Sequence, residues 1–211
     1  MKLYTYFRSS AAFRVRIALN LKGLKYEPVF VHLAKGEHRQ PQYAQVNPQA
    51  LLPTLELDDG TRLTQSLAII EWLEEKHPTP PLLPKEPFAR ARVRSLSYLV
   101  ASEIHPLNNL RVLQHLKRAL GQTQDEIDTW YRYWIADGLA KLEAELAGSS
   151  GKFCHGDSPG MADCCLVPQI FNAKRYSSDL APYPTTMRVF DNCMKLDAFD
   201  RAQPSKQPDA E

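Results

Sequence analysis

Cysteine is scarce in this sequence and does not occur before position 154. The cysteines form no C-x-x-C pair, which excludes the usual active site of a thiol–disulfide oxidoreductase at the N-terminus. Cysteine and histidine also lack the spacing of zinc ligands, so we predict no metal site. We expect no disulfide framework but free, buried thiols at Cys154, Cys164, Cys165 and Cys193.

Long apolar runs and an excess of charge are also missing. No stretch approaches the about 20 apolar residues of a membrane span, and the start, MKLYTYFRSS, lacks the apolar core of a signal peptide. A formal net charge of +2 over 211 residues is too small to indicate nucleic-acid or anionic-membrane binding. We therefore expect a cytoplasmic globular protein with neither nucleic acid nor membrane as a partner.

Proline is concentrated in one stretch, PTPPLLPKEP, at positions 78–87. Such a stretch is extended and semi-rigid, so it indicates a linker between two domains. We predict a first domain over residues 1–79, a linker over 80–87 and a second domain over 88–211.

The predicted first domain alternates strands and helices in the order β-α-β-α-β-β-α. KLYTY and YEPVFV have the aromatic and β-branched residues of strands, and the apolar spacing between them predicts a helix over Ser10–Leu21. Their βαβ connection is expected to be right-handed and parallel. DDG at positions 58–60 is typical of a hairpin turn, and QSLAIIEWLEEKH predicts a closing helix.

The predicted second domain contains helices only. A long helix is expected over about 88–117, interrupted by Pro106, because proline removes a backbone hydrogen bond. A T-x-x-E capping box begins the next helix at Thr123, and two later helices follow, the first from about Met161. The terminal QPSKQPDAE is predicted to be loose or draped over the surface.

Ser9 and Ser10 lie where the first strand runs into the first helix. A helix N-terminus carries unpaired amides and about half a positive charge, so it can bind an anion or lower the pKa of a thiol. A serine there can equally be a plain helix cap. From the residues alone both interpretations stay open.

Two further pairs bear on the same site. A cis Leu52-Pro53 bond would turn backbone groups outward to pair with a peptide-like ligand, although the trans isomer is favoured by spacing alone. Gln65 and Ser66 begin a helix and suit a carboxylate, although they can simply cap it. Taken together, the three pairs fit a short, acidic peptide that brings its own thiol.

The sequence resembles the zeta class of the glutathione transferases, which are maleylacetoacetate and maleylpyruvate isomerases. The resemblance spans essentially the whole chain. It implies an α/β thioredoxin-like N-terminal domain, an all-α C-terminal domain, a homodimer and a cis Leu52-Pro53 bond. The stretches that carry it are SSAAFRVRIAL, NPQALLPTLEL, TQSLAIIEWLEE, PLLP, HPLNNLRVL, MADCCLVPQIFNAKR and QPDA.

The resemblance implies a role for individual residues. Ser9 corresponds to the serine that hydrogen-bonds the glutathione thiolate, with Ser10 beside it, and Leu52 corresponds to the backbone partner of the cysteinyl unit. His38 and Asn108 lie at positions where this class tends to place a glutamine near glutathione. The implied glutathione-binding residues are His38, Leu52, Pro53, Gln65, Ser66 and Asn108.

The chain departs from the family at two positions. The usual Ser-Ser-Cys-Ser reads Ser9-Ser10-Ala11-Ala12, so the missing cysteine cannot be an essential catalyst here. The threonine that usually caps the MAD helix is replaced by Gly160, a poorer cap.

The implied reaction is glutathione-dependent cis–trans isomerisation of a maleyl diacid, in which a thiolate adds to the double bond and later leaves. Such a substrate carries a carboxylate at each end, so its binding site needs cations. Arginine suits this role because it binds carboxylates in a bidentate manner. We predict that Arg8, Arg111 and Arg175 bind the substrate and that Arg8 is also catalytic. Any one of these arginines, taken alone, can instead be a solvated surface charge. Arg14 and Arg16 are interpreted as structural.

Two other functions remain open. A general glutathione transferase would share the glutathione site and conjugate electrophiles, and a non-catalytic scaffold would have no use for a thiolate site. The sequence does not distinguish maleylpyruvate from maleylacetoacetate as substrate, and it does not address α-haloacids.

Overall fold

The computed structural model describes residues 1–211 and divides them into two compact units. The first unit contains Met1–Leu82 together with Met194–Glu211, and the second contains Leu83–Cys193. The predicted boundary falls in the same proline-rich stretch. The prediction gave all residues after 87 to the second domain, however, whereas the C-terminal segment groups with the first unit.

A four-stranded sheet forms the centre of the first unit, in the order β2-β1-β3-β4. β1 and β2 are parallel, as the βαβ pattern predicted, and β3 and β4 form the predicted antiparallel hairpin. β3 also runs antiparallel to β1, which places Leu3 opposite Leu55. The strands are β1 Lys2–Thr5, β2 Glu27–Phe30, β3 Thr54–Glu56 and β4 Arg62–Thr64.

Nine α-helices accompany the sheet, and four of them, α1, α2, α3 and α9, belong to the first unit. α1 has the predicted bounds, and α3 closes the predicted β-α-β-α-β-β-α order. The helices are α1 Ser10–Leu21, α2 Pro41–Ala44, α3 Ser66–Lys76, α4 Pro87–Tyr98, α5 Leu110–Arg118, α6 Gln124–Ala147, α7 Met161–Arg175, α8 Pro184–Met194 and α9 Asp197–Asp200.

The core of the first unit lies where α1 and α3 pack together beside the sheet. Val15 and Leu19 of α1 and Ile70 of α3 are fully buried. Burying each such side chain stabilises the fold by about 1.5–3 kcal/mol. Beside this core, the buried Lys22 ammonium lies 2.9 Å from the Glu74 carboxylate. The apolar face of α1 therefore fixes the position of its N-terminus.

The second unit is helical throughout, as predicted, but its first long helix is not continuous. After α4 the chain passes through a π-helical segment, Leu99–Ile104, and a 3₁₀ turn, His105–Asn108, before α5 begins. Pro106 lacks the N–H that an uninterrupted α-helix needs. The helix predicted over about 88–117, with an interruption at Pro106, therefore consists of four segments, and Asn109 separates the last of them, α5, from the rest.

Close packing in the second unit brings the π segment against α6. A Cβ atom built on Gly138 of α6 would lie 2.3 Å from Ile104 Cγ1. Ile104 is buried, so only a glycine lets the two segments approach this closely.

The N-terminus of α7 is stabilised from within the helix. Asp163 accepts hydrogen bonds from the backbone N–H groups of Gly160, at 2.8 Å, and Cys154, at 2.9 Å. Gly160 has no side chain that could accept a hydrogen bond from the first turn of α7, which agrees with the prediction that it is a weak cap. The four cysteines are buried thiols, as predicted. No helix of the chain is long and apolar enough to cross a membrane.

Candidate active site

Ser9 caps α1, and its side chain and that of Ser10 are buried. The Ser9 hydroxyl oxygen accepts a hydrogen bond from the Ala12 N–H at 3.2 Å. Each serine is only 7% exposed. The cap interpretation is thus confirmed, but capping uses only the oxygen as acceptor, and a hydroxyl also has a proton to donate. Capping and donation to an anion are therefore compatible in one residue.

The N-terminus of α3 is entered through an unusual backbone conformation. Gln65 has φ 67° and ψ 116°, and its side chain does not cap the helix. A non-glycine residue in this region costs of order 1–3 kcal/mol and is common at functional sites. The Gln65 amide instead donates to Gln49 Oε1 at 2.7 Å. The interpretation of the Gln65 side chain as a plain helix cap is therefore wrong.

A buried arginine of α1 contacts the N-terminus of α3. Arg14 of α1 donates from Nη1 to the Ser66 hydroxyl at 3.3 Å, and its side chain is only 3% exposed. The sequence analysis interpreted Arg14 as structural and missed this contact. The available signal was a charged residue on an otherwise apolar helix, in RVRIAL. The contact places positive charge beside the predicted carboxylate-binding residues.

The Leu52-Pro53 bond is cis, as the resemblance implied. Two buried side chains hold the backbone just before it. Tyr43 donates its hydroxyl to the Leu51 carbonyl at 2.6 Å, and Asn47 donates to the same carbonyl at 2.8 Å. Both also contact the hydroxyl of Thr54. The predicted ligand-pairing backbone is thus fixed by residues that the sequence analysis did not name.

His38 lies in a 3₁₀ turn, Glu37–Arg39, and is buried. Its Nδ1 atom is buried and has no hydrogen-bond partner within the protein. Burial, with a contribution from the Arg39 charge, lowers the pKa of His38 below its usual value. A buried ring nitrogen without a partner fits a residue that contacts a polar ligand.

Arg8 precedes the serine pair and is exposed. Its guanidinium carbon lies 4.8 Å from the centroid of the Phe7 ring, close enough for a cation–π contact. The side chain therefore keeps its charge in solvent while packing on its neighbour.

In the second unit, two predicted residues lie near Tyr131. Asn108 donates from Nδ2 to the Tyr131 carbonyl at 3.2 Å, and its Oδ1 is buried without a partner. Arg175 lies near the Tyr131 side chain: burial raises the pKa of Tyr131, and the Arg175 charge opposes that change. Tyr131 also stacks on Tyr176 with ring centroids 3.5 Å apart. Neither tyrosine was predicted from the sequence.

Arg111 lies outside this tyrosine group. It is exposed in the first turn of α5, where its N–H donates to Asn109 Oδ1 at 3.1 Å. Asn109, which the prediction placed inside one long helix, is the N-cap of α5.

Two family models match the chain. The glutathione S-transferase N-terminal domain matches residues 3–81, and the glutathione S-transferase C-terminal domain matches residues 126–195. The chain belongs to the glutathione S-transferase family. The N-terminal match covers the strands, Ser9, the cis-proline and Ser66, and the C-terminal match covers Tyr131 and Arg175.

Individual members of this family are similar over their full length. A maleylpyruvate isomerase from a Ralstonia species is 48% identical, with 100% of both chains covered. A holo maleylpyruvate isomerase described as a zeta-class bacterial enzyme is 47% identical, with a TM-score of 0.97 and 100% of both chains covered. A maleylacetoacetate isomerase from Methylobacterium extorquens AM1, solved with malonate and glutathione, is 44% identical, with a TM-score of 0.97 and 100% of both chains covered.

Proposed function

We propose that this protein is a glutathione-dependent cis–trans isomerase that converts maleylpyruvate or maleylacetoacetate to the fumaryl isomer. The observation that carries the proposal is the buried Ser9 hydroxyl at the N-terminus of α1, in a chain with no cysteine there. A site of this kind can stabilise a thiolate but has no thiol of its own. The similar isomerases, one of them solved with glutathione, support the same conclusion.

The donor set of the first unit fits glutathione. Ser66 and the Arg14 cation at the N-terminus of α3 suit a carboxylate, and the backbone at Leu52 suits a peptide group. The unpartnered nitrogen of His38 suits a polar group of the tripeptide. Bound glutathione supplies a thiolate that adds reversibly to the substrate double bond and so permits rotation about it.

Ser9 is assigned the role of holding that sulfur in its anionic form. Its hydroxyl donates a hydrogen bond, and the N-terminus of α1 adds about half a positive charge. If the thiol pKa falls by about 1.5 units from its usual value of about 8.5, the thiolate is stabilised by about 2 kcal/mol. Ser10 is proposed to support the same helix end.

Substrate binding is assigned to arginines, because the diacid carries a carboxylate at each end. Arg8 in the first unit is proposed to act near the reacting atoms, where negative charge develops on a substrate oxygen. In the second unit, Arg175 and Arg111 are proposed to bind carboxylates, and Asn108 is proposed as a ligand contact. The exposure of the three arginines supports roles in which each can reach a ligand.

The homodimer and the cytoplasmic location remain part of this proposal. Phe88 and Tyr98 on α4 are 80% and 46% exposed, which is unusual for large apolar side chains and supports an interface there. Sedimentation of the purified protein would test the dimer.

The function is tested by assaying both maleyl diacids with and without glutathione. We expect turnover to require glutathione and the faster diacid to identify the substrate. Full turnover without glutathione would contradict the proposal. Faster conjugation of 1-chloro-2,4-dinitrobenzene or an α-haloacid than isomerisation of either diacid would favour a general transferase instead.

A further inference from the structure

The C-terminal segment is fixed to the loop that leads into α1. The side chain of Asp209 accepts a hydrogen bond through Oδ2 from the backbone N–H of Phe7 at 2.9 Å. Phe7 is two residues before Ser9, in the turn closed by the hydrogen bond from the Ser9 N–H to the Tyr6 carbonyl. The segment, which was predicted to be loose or draped over the surface, therefore contacts the chain next to the proposed thiolate site.

A buried arginine holds the same loop from the other side. Arg16 of α1 is fully buried and donates from Nη2 to the Phe7 carbonyl at 3.2 Å and from Nη1 to the Tyr6 carbonyl at 3.3 Å. Its Nε donates to the carbonyl of Ala202, which belongs to the C-terminal segment, at 3.1 Å. Arg16 therefore connects α1, the loop and the C-terminal segment in one network.

Asp209 supplies negative charge to this network. Burial lowers the pKa of Arg16 to about 10, while the charges of Tyr26 and Asp209 oppose that change. The second oxygen of Asp209, Oδ1, is buried and has no hydrogen-bond partner. A buried cation is costly without a compensating charge, so the carboxylate supports both the Phe7 amide and the Arg16 guanidinium.

The end of the segment makes a second, separate contact. Glu211 lies 2.9 Å from His32 Nε2 and 3.6 Å from Lys35 Nζ. Its side chain is 50% exposed, so these ion pairs are at the surface and contribute little. They contact the chain after β2, where His32 also packs on the Tyr6 ring with centroids 4.8 Å apart. Glu211 makes no hydrogen bond to the backbone from Phe7 to Ser9, so it serves as a control within the same segment.

We propose that Asp209 is a positioning residue, which fixes the backbone from Phe7 to Ser9 and thereby aims the Ser9 hydroxyl at the ligand thiol. The inference rests on the proposed function, because that function assigns the thiolate to Ser9. Asp209 does not touch the reacting atoms and acts through Phe7 and Arg16. Small displacements of a catalytic group reduce reaction rates strongly, so a loop that restrains the position of Ser9 increases the rate.

The test compares Asp209→Ala, Asp209→Asn and Glu211→Gln with the wild-type protein. The readouts are the pKa of the bound glutathione thiol, from thiolate absorbance against pH, the glutathione Kd, and kcat and KM for the diacid. Hydrogen exchange of the Phe7 amide reports on the loop directly.

We expect Asp209→Ala to raise the bound thiol pKa by about one unit and to lower kcat at neutral pH about tenfold, since one unit is a tenfold change in ionisation. The glutathione Kd should change less than about threefold, and the Phe7 amide should exchange faster. Asp209→Asn keeps an acceptor for Phe7 without the charge, so it should be intermediate and should fold if Asp209→Ala does not. Glu211→Gln should match wild type.

A native thiol pKa in both Asp209 variants would overturn the inference, even if they are less stable, because it would show a structural role only. This outcome differs from failure of the proposed function. A wild-type protein that lowers the thiol pKa but isomerises neither diacid would refute the proposed function and leave the positioning role intact. A wild-type protein that leaves the thiol pKa unchanged would overturn both.

Discussion

The serines and the arginines that the sequence predicted as functional residues differ in how they are held. Ser9, Ser10 and Ser66 are buried, and hydrogen bonds within the first unit fix Ser9 and Ser66. The arginines proposed for the substrate, at positions 8, 111 and 175, are exposed. The serines are thus held inside the protein, whereas the arginines are in solvent, two of them packed on a neighbouring ring: Arg8 on Phe7 and Arg175 on Tyr176.

This difference matches two kinds of ligand. A tripeptide that is the same in every turnover benefits from a preorganised site, because little ordering is required on binding. Exposed arginines are screened by water and salt, so each contributes modestly and tolerates variation in the diacid. We therefore expect substitutions of the serines to change the thiol pKa and substitutions of the arginines to change substrate KM.

The largest effect is expected from Ser9→Ala. It removes a hydrogen bond to a charged sulfur, worth about 1.5–3 kcal/mol, so kcat should fall about 10- to 150-fold and the bound thiol pKa should rise. Loss of the cap should also cost about 1 kcal/mol of folding stability. Stopped-flow kinetics and thiolate absorbance measure the first two changes, and thermal unfolding measures the third.

Thr123→Ala is the matched control for Ser9→Ala. Thr123 caps α6 through its hydroxyl, which accepts from the Glu126 N–H at 3.3 Å. Its loss should cost similar stability and leave the thiol pKa unchanged. If both variants lose activity equally, Ser9 is a cap only.

Arg175→Ala is expected to have the next largest effect. Removing an exposed cation from a carboxylate should raise KM for the diacid about 3- to 30-fold, because solvent screens part of the interaction. Glutathione affinity should stay within about twofold of wild type, and the exposed Arg118→Ala should change neither quantity. Equal losses of diacid and glutathione affinity would refute the division between the two residue sets.

Arg14→Met tests the contact between α1 and the N-terminus of α3. It removes the donor to Ser66, and a hydrogen bond of this kind contributes about 0.5–1.5 kcal/mol, so glutathione Kd should rise about 2- to 10-fold. Isothermal titration calorimetry measures the glutathione Kd, and Arg14→Lys is the control variant that keeps the positive charge. Unchanged Kd in a folded Arg14→Met protein would return Arg14 to a purely structural role.

His38 should have the smallest effect, visible only as a pH dependence. Its pKa is lowered in the fold by burial and by Arg39, so the unfolded chain binds the proton first as pH falls. The folding stability associated with His38 is therefore complete above about pH 6.5 and decreases below it. Denaturant titrations between pH 5 and 8 should show a flatter profile for His38→Gln, and identical profiles would contradict the assignment.

Local patterns in the sequence were enough to predict the elements that carry the site. The period of the apolar residues predicted α1 with its observed bounds, and DDG predicted the hairpin between β3 and β4. The T-x-x-E pattern at Thr123 predicted a capping box that the structure contains. Each of these features depends on residues that are close together in the chain.

The missed features depend on residues far apart in the chain. Arg14 and Ser66 are 52 positions apart, and Phe7 and Asp209 are 202 apart. No spacing rule connects such pairs, since they come together only in the folded first unit. The π segment was missed for another reason, because Pro106 predicts a disturbance but not its form.

The contact between Gly138 and Ile104 limits how this chain can be diversified. A methyl group at position 138 would overlap the Ile104 side chain, so alanine there should be accepted only when position 104 carries something shorter. Random mutagenesis of α6 would discard nearly every library member altered at 138, whereas libraries that vary both sites together would retain paired solutions. In directed evolution, positions 104 and 138 should therefore be varied together.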